Sequence, residues 1–198
     1  IGLGIVGVVL FVIGIMFLWK ETTNDGKSRP STTKEFKTLS ESTSLLCDIA
    51  SKEKEKLIIE IVAATGGTTI STILPSIIKS TPAPKIEISI FLVNKESPMA
   101  IYFPNHWVKE VDIVIDKIKQ DWSNNPNQKV TAFNVYLYDF LPTLHGVMLN
   151  NKHLVFGFFG WKHFSGGIQL SGAEASHRYY SKEKHPDAQF IIDMFDDW

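Results

Sequence analysis

The first nineteen residues, IGLGIVGVVLFVIGIMFLW, carry no charge, and no other feature limits the chain so sharply. At a rise of about 1.5 Å per residue, a helix of that length nearly matches a hydrocarbon core of about 30 Å. Residues 1–19 are therefore expected to form a transmembrane helix. A cleaved secretory signal is the rival reading. It would need a basic start, a shorter apolar core and a small-residue cleavage site, whereas this run meets Trp19, Lys20 and Glu21. Trp19 suits the membrane interface, and Lys20, Lys27, Arg29, Lys34 and Lys37 follow it. The positive-inside rule then predicts that the rest of the chain is cytoplasmic. Ile1 stands where a Met would start a chain, so a preceding segment is expected to have been removed. Gly4, Gly7 and Gly14 fall near one face of the helix, which would permit close packing against another helix. Glycine is common in such segments, however, and strict small-xxx-small spacing is missing.

All charge lies beyond residue 19, with 20 basic and 21 acidic side chains. That near-neutrality argues against a strongly electrostatic nucleic-acid binder. A single cysteine, Cys47, excludes an intramolecular disulfide and a cysteine-built zinc cage. Its neighbours Leu45, Leu46 and Ile49 suit a core or interface thiol better than a nucleophile. The six histidines show neither H-x3-H nor H-E-x-x-H spacing, so no metal site is expected.

Residues 20–34 are rich in Thr, Asn, Asp, Gly, Ser and Pro and read as a linker. Phe36, Leu39, Leu46 and Ile49 recur at helical spacing, which predicts an amphipathic helix over 34–53 at the head of a domain spanning 35–198. Residues 57–64 (LIIEIVAA) form a β-branched apolar run expected as a strand buried on both faces. Thr65-Gly66-Gly67-Thr68-Thr69 turns the chain, and Ile70, Ile73, Leu74, Ile77 and Ile78 follow at helical spacing, with Pro75 tolerated early. A second strand, 86–93, precedes a helix over 106–122 whose stripe is Trp107, Val111, Val114, Ile115 and Ile118. Strand, helix, strand, helix predicts parallel strands. After the Asn124-Asn125-Pro126-Asn127 turn the period becomes two over 130–138, 146–150, 153–159 and 167–170. Asn150-Asn151 makes a tight turn. A last helix is expected over 186–198. The fold class is thus α/β: one three-layer domain with helices on a mixed sheet, behind a transmembrane helix.

This order of elements resembles one half of a phospholipase D-like domain. The likeness lies in LIIEIVAATGGTT, KIEISIFLVNKESP, VTAFNVYLYDFLPTL and above all HGVMLNNKHLVFGFF, and covers about residues 55–198. Active members of that family carry a His-x-Lys-x4-Asp motif on this strand pair. Its histidine attacks phosphorus, its lysine holds the phosphate, and two copies from two halves or subunits meet at one site. Aligned on Asn150-Asn151-Lys152, this chain has Thr143 at the histidine position, His145 at the lysine position and Asn150 at the aspartate position. All three differ. A threonine without an adjacent base is a poor nucleophile, and an imidazole is only partly charged near its reference pKa of about 6.5. A shifted frame gains His145 as nucleophile but leaves Val147 and Lys152 in the other two places. The resemblance implies a non-catalytic sensor or interaction module that needs no cofactor and forms a homodimer or larger membrane assembly. One alternative is a membrane-tethered phosphodiesterase, nuclease or phospholipase using His145, with Lys152 or Lys162 on the phosphate. Another is an accessory subunit of a large membrane complex.

Residues suited to a phosphate-bearing ligand are Thr65, Gly66, Gly67 and Thr68, at the carboxyl end of the first strand where open α/β sheets place ligands. A plain capped turn competes with that reading, and the lysine of a P-loop is missing. Asn150 and Lys152 join them from the motif. Lys162, His163 and Arg178 lie in a polar stretch with Ser165, Gly166, Gly167 and His177, expected as a loop over the same edge or as ordinary solvated residues. Asp193, Asp196 and Asp197 suit a solvated helix face better than an acid/base pair. Phe158, Phe159, Trp161 and Phe164 are candidates for an exposed aromatic surface or for core filling.

Overall fold

The computed structural model describes residues 34–123, 129–164, 167–171, 176–185 and 188–197. Its strands are β1 (Glu35–Phe36), β2 (Lys56–Val62), β3 (Lys85–Val93), β4 (Val130–Tyr138), β5 (Leu144–Leu149), β6 (His153–Phe158), β7 (Gly160–Phe164), β8 (Gly167–Ser171) and β9 (His177–Ser181). Its α-helices are α1 (Thr43–Ala50), α2 (Leu74–Ser80), α3 (Asn105–Ile118) and α4 (Ala188–Asp197). The expected transmembrane helix, residues 20–33 of the linker, Ser165 and Gly166 lie outside the described residues. Among those described, no helix is long and apolar enough to cross a membrane.

Strict alternation builds the sheet. Leu57, Ile59 and Ile61 of β2 and Ile86, Ile88, Ile90 and Leu92 of β3 are buried, while the residues between them on β2 and β3 are mostly half-buried. Side chains two apart share a face, so both strands offer one continuous apolar surface. Leu46 and Ile49 of α1 and Leu74, Ile77 and Ile78 of α2 pack on it. The opposite face carries Met148, Leu154 and Phe156, covered by Ala188, Ile192 and Phe195 of α4. β2 is therefore fully buried on one face only: Ile58 and Glu60 are half-buried. Burial raises the carboxyl pKa of Glu60, and the Asp196 charge adds to the effect.

The result is a mixed α/β domain whose seven-stranded sheet runs β1-β9-β6-β5-β2-β3-β4, beside a two-stranded β7-β8 ribbon. β2, β3 and β4 are parallel, as strand-helix-strand connections predict. The remaining neighbours are antiparallel. Asn150 and Asn151 join β5 to β6 with φ of 52° and 49°, the left-handed pair a tight hairpin requires. Asn150 also ties this hairpin to β2, its Oδ1 accepting from the N–H of Ile58 at 2.7 Å.

Two further expectations need correction. Residues 34–53 are not one helix: Phe36 is buried as part of β1, paired with His177. Thr38 then stops the extended run, its Oγ1 accepting from the N–H of Glu41, while the Glu41 carboxylate accepts from the N–H of Lys37 at 2.9 Å. This capping exchange satisfies the free donors of a new helix start, so helical turns begin only at Leu39. The polar stretch 162–178 is not simply a loop, because the end of β7, all of β8 and the start of β9 lie in it. Backbone pairing with partners in β6 and within the ribbon makes strands of segments whose side chains are polar.

Candidate functional site

A cleft of about 600 Å³ opens at the carboxyl end of β2. Three walls and a floor make it. The loop 65–68 forms one wall, the segment Thr38-Leu39-Ser40 a second, and Pro104 to Trp107 a third. Phe159 and residues Gln169 to Ser171 close the side, and His145 and His177 line the floor.

The loop owes its shape to Gly66, whose φ of +77° lies in the left-handed region. Any Cβ there would also come 2.9 Å from Leu92 Cδ2. Helical turns start at Gly67 and pass through a π-helical segment, Thr69–Ile73, into α2. The Gly66 carbonyl accepts the first helical bond from Ile70 at 2.9 Å. The N–H groups at such a start have no intrahelical acceptor and favour negative charge. The chain brings its own: the Glu110 carboxylate of α3 lies directly over the Gly67 Cα, where a side chain would otherwise project.

The floor depends on a cross-strand row. His145 of β5 pairs with Gly157 of β6, and the His177 ring of β9 lies over Gly157, whose missing Cβ would sit 3.2 Å from His177 Nε2. With glycine between them, the imidazoles approach to 4.4 Å between centroids at 61°. The Phe159 ring lies tilted against His145 at 4.4 Å between centroids, and Trp107 meets Phe159 edge-on at 5.5 Å. The His145 Nε2 is buried without a hydrogen-bond partner among the described residues. Burial, helped by His177, pushes the His145 pKa down to about 3, so the ring is neutral at physiological pH.

This fixes a sign for stability. A histidine that resists protonation when folded but titrates near 6.5 when unfolded destabilises the fold as pH falls below the unfolded value, down to the folded one. About 2 kcal/mol of stability is expected to be lost through His145 between pH 7.5 and pH 5. His145→Asn should therefore show a shallower fall in urea midpoint over that range. His153, whose pKa burial also lowers, acts equally in both proteins. Parallel pH profiles for the two would overturn the expectation.

Of the residues expected from sequence, Thr65, Gly66, Gly67, Thr68, His145 and His177 come together in the cleft. Asn150 and Lys152 sit at the far end of β5, about 17 Å from His145 at strand spacing. Arg178 faces the side of β9 opposite His177 and forms an ion pair with Glu35 at 2.8 Å. Lys162 and His163 lie on β7, opposite Gln169 and Ile168. Asp193 accepts from Gln189 at 2.7 Å and pairs with Lys182 at 3.3 Å, and Asp196 accepts from Asn151 at 3.5 Å. Trp161 is exposed, edge-on to Tyr102. Sequence reading missed Ser40, His106, Trp107 and Phe159 as cleft residues. None carries a motif, and only the fold brings them to one place.

Among the described residues no three His, Cys, Asp or Glu side chains could hold a metal ion. No protein-family model matches the chain. No curated protein sequence matches it. Among solved structures, the chain is similar to TrmBL2, an archaeal chromatin protein with a novel mode of DNA binding, at 10% identity and a TM-score of 0.41. It is also similar to phosphatidylserine synthase from Haemophilus influenzae, at 11% identity and a TM-score of 0.43. The matches cover 96% and 82% of this chain but only 59% and 37% of those proteins.

Proposed function

We propose that the chain is a membrane-tethered binding or sensing module of degenerate phospholipase D-like build, and not a phosphodiesterase. One observation carries this reading: where such an enzyme would place its phosphate-holding lysine stands His145, a half-buried imidazole whose Nε2 is sealed in without a hydrogen-bond partner among the described residues and whose protonation burial disfavours. Phosphoryl transfer relies on fixed positive charge to take up the charge of the transition state. The described cleft lining contains neither lysine nor arginine. Nor, among the described residues, does His145 Nε2 have the oriented hydrogen bond through which a partner activates a nucleophilic imidazole.

Binding needs less. The hydroxyls of Thr38, Ser40 and Thr68 and the amides of Asn105 and Gln169 suit a small polar ligand, with Trp107 and Phe159 as its apolar wall. A phosphate or carboxylate group would enter by displacing Glu110 from the helix start, so the ligand carries little net charge. Anchoring by residues 1–19 and self-association belong to the same proposal.

The test is hydrolysis of a phospholipid, single-stranded DNA and a bis-aryl phosphate by the full chain in mild detergent. No turnover above buffer is expected from the wild type or from His145→Ala. Turnover by the wild type that vanishes in the variant would make the protein an enzyme and end this reading.

A further inference from the structure

We infer that strand β4 is a self-pairing edge through which two copies of this chain join their sheets in antiparallel register about Asn134. At the other end of the sheet β1 is only two residues long, but β4 runs nine, Val130–Tyr138, with no charge and no proline. Natural edges are usually blunted by lysine, proline, shortness or a bulge. Here the single such device is a register shift beside Ile86, which leaves the strand regular from Ala132 to Tyr138. Tyr136 and Leu137 on this edge are 47% and 50% exposed.

The backbone decides which residues can pair. The Tyr138 carbonyl accepts from the N–H of Asn94, on the β3 side. Alternation then turns the N–H and C=O groups of Phe133, Val135 and Leu137 outward. A two-fold axis through Asn134 sets Phe133 opposite Val135 in both directions, as hydrogen-bonded pairs, and Asn134 opposite its own copy as a non-hydrogen-bonded pair. The same register brings Lys129, whose ammonium donates to the Thr81 carbonyl of its own chain, beside Asp139 of the other copy, which accepts from its own Asn94. Charges that flank a neutral strand with opposite signs are complementary in this antiparallel arrangement and repel in a parallel one. That complementarity selects a second copy as the occupant. The inference does not depend on the cleft or its chemistry.

The test uses the full chain in mild detergent, its mass read by light scattering. A dimer is expected for the wild type. Asn134→Lys, at an exposed position, sets two ammonium groups face to face on the axis and is expected to give a monomer with an unchanged circular dichroism spectrum. With Cys47 replaced by Ser, Asn134→Cys is expected to form a disulfide-linked dimer on mild oxidation, since Cα atoms of such a pair lie about 4.5 Å apart. A monomeric wild type would overturn the inference, as would a dimer that survives Asn134→Lys or an Asn134→Cys variant that does not cross-link. Protection of the β4 amides from exchange in a monomeric wild type would assign the edge to another segment of the chain instead.

Discussion

Gly146→Ala is expected to lower stability by about 3 kcal/mol, the upper part of the range for overpacking a tight interior, and to appear as a lower urea midpoint. A methyl group there would meet the Val155 carbonyl oxygen and come within 2.7 Å of Phe156 Cβ. Neither can step aside. Gly146 lies on a strand paired on both sides, opposite Val62 of β2 and Phe156 of β6, and Phe156 is itself buried in the core under α4. Gly67→Ala serves as the comparison, because its methyl group would press only on the end of the flexible Glu110 side chain. The second variant should lose far less stability. Equal midpoints for Gly146→Ala and wild type would mean that the β5-β6 pair is looser than these contacts require.

Gly66→Ala is expected to cost a similar amount, again about 3 kcal/mol, by adding two effects. A non-glycine residue in the left-handed region loses roughly 1–2 kcal/mol, and the new methyl group would crowd Leu92 Cδ2 at 2.9 Å and Ile90 Cδ1 at 3.3 Å. Since Gly66 sets the path from β2 into the helix start, the loss extends to the shape of the cleft wall. Urea unfolding reads the first consequence, and fluorescence of Trp107, which lines the same cleft, reads the second. A variant with the wild-type midpoint would show that the loop tolerates another path.

The legible part of the fold was the part written in apolar period. β4 begins at Val130 and ends at Tyr138, where the alternation begins and ends, and the parallel β2-β3-β4 unit follows from two apolar runs separated by helical stretches. β9 was not legible because its buried side chains are His177, Tyr179 and Ser181, types that read as loop in a sequence. Phe36 fell into a helical period by coincidence of spacing; its partner in the sheet is 141 positions away, too far for any local pattern to record. The glycine turn and His145 could each be singled out from sequence. Their meeting could not, since it depends on the register that sets Gly157 between two histidines. The charge-poor lining of the cleft is equally a property of the assembled walls.

The seam between β2 and β5 has a consequence for the order of assembly. β2 is bonded on one flank to β3 and on the other to β5, and the contact between Ile58 and Asn150 spans 92 positions. A growing chain can form β2, β3 and β4 while the second flank of β2 stays bare, and the seam can close only after the β5-β6 hairpin has been made. Long-range closures of this kind slow folding and leave an apolar strand edge open meanwhile. Synthesis through residue 158, the end of β6, thus divides the life of the chain into an aggregation-prone phase and a sealed one, and chaperone demand should concentrate in the first.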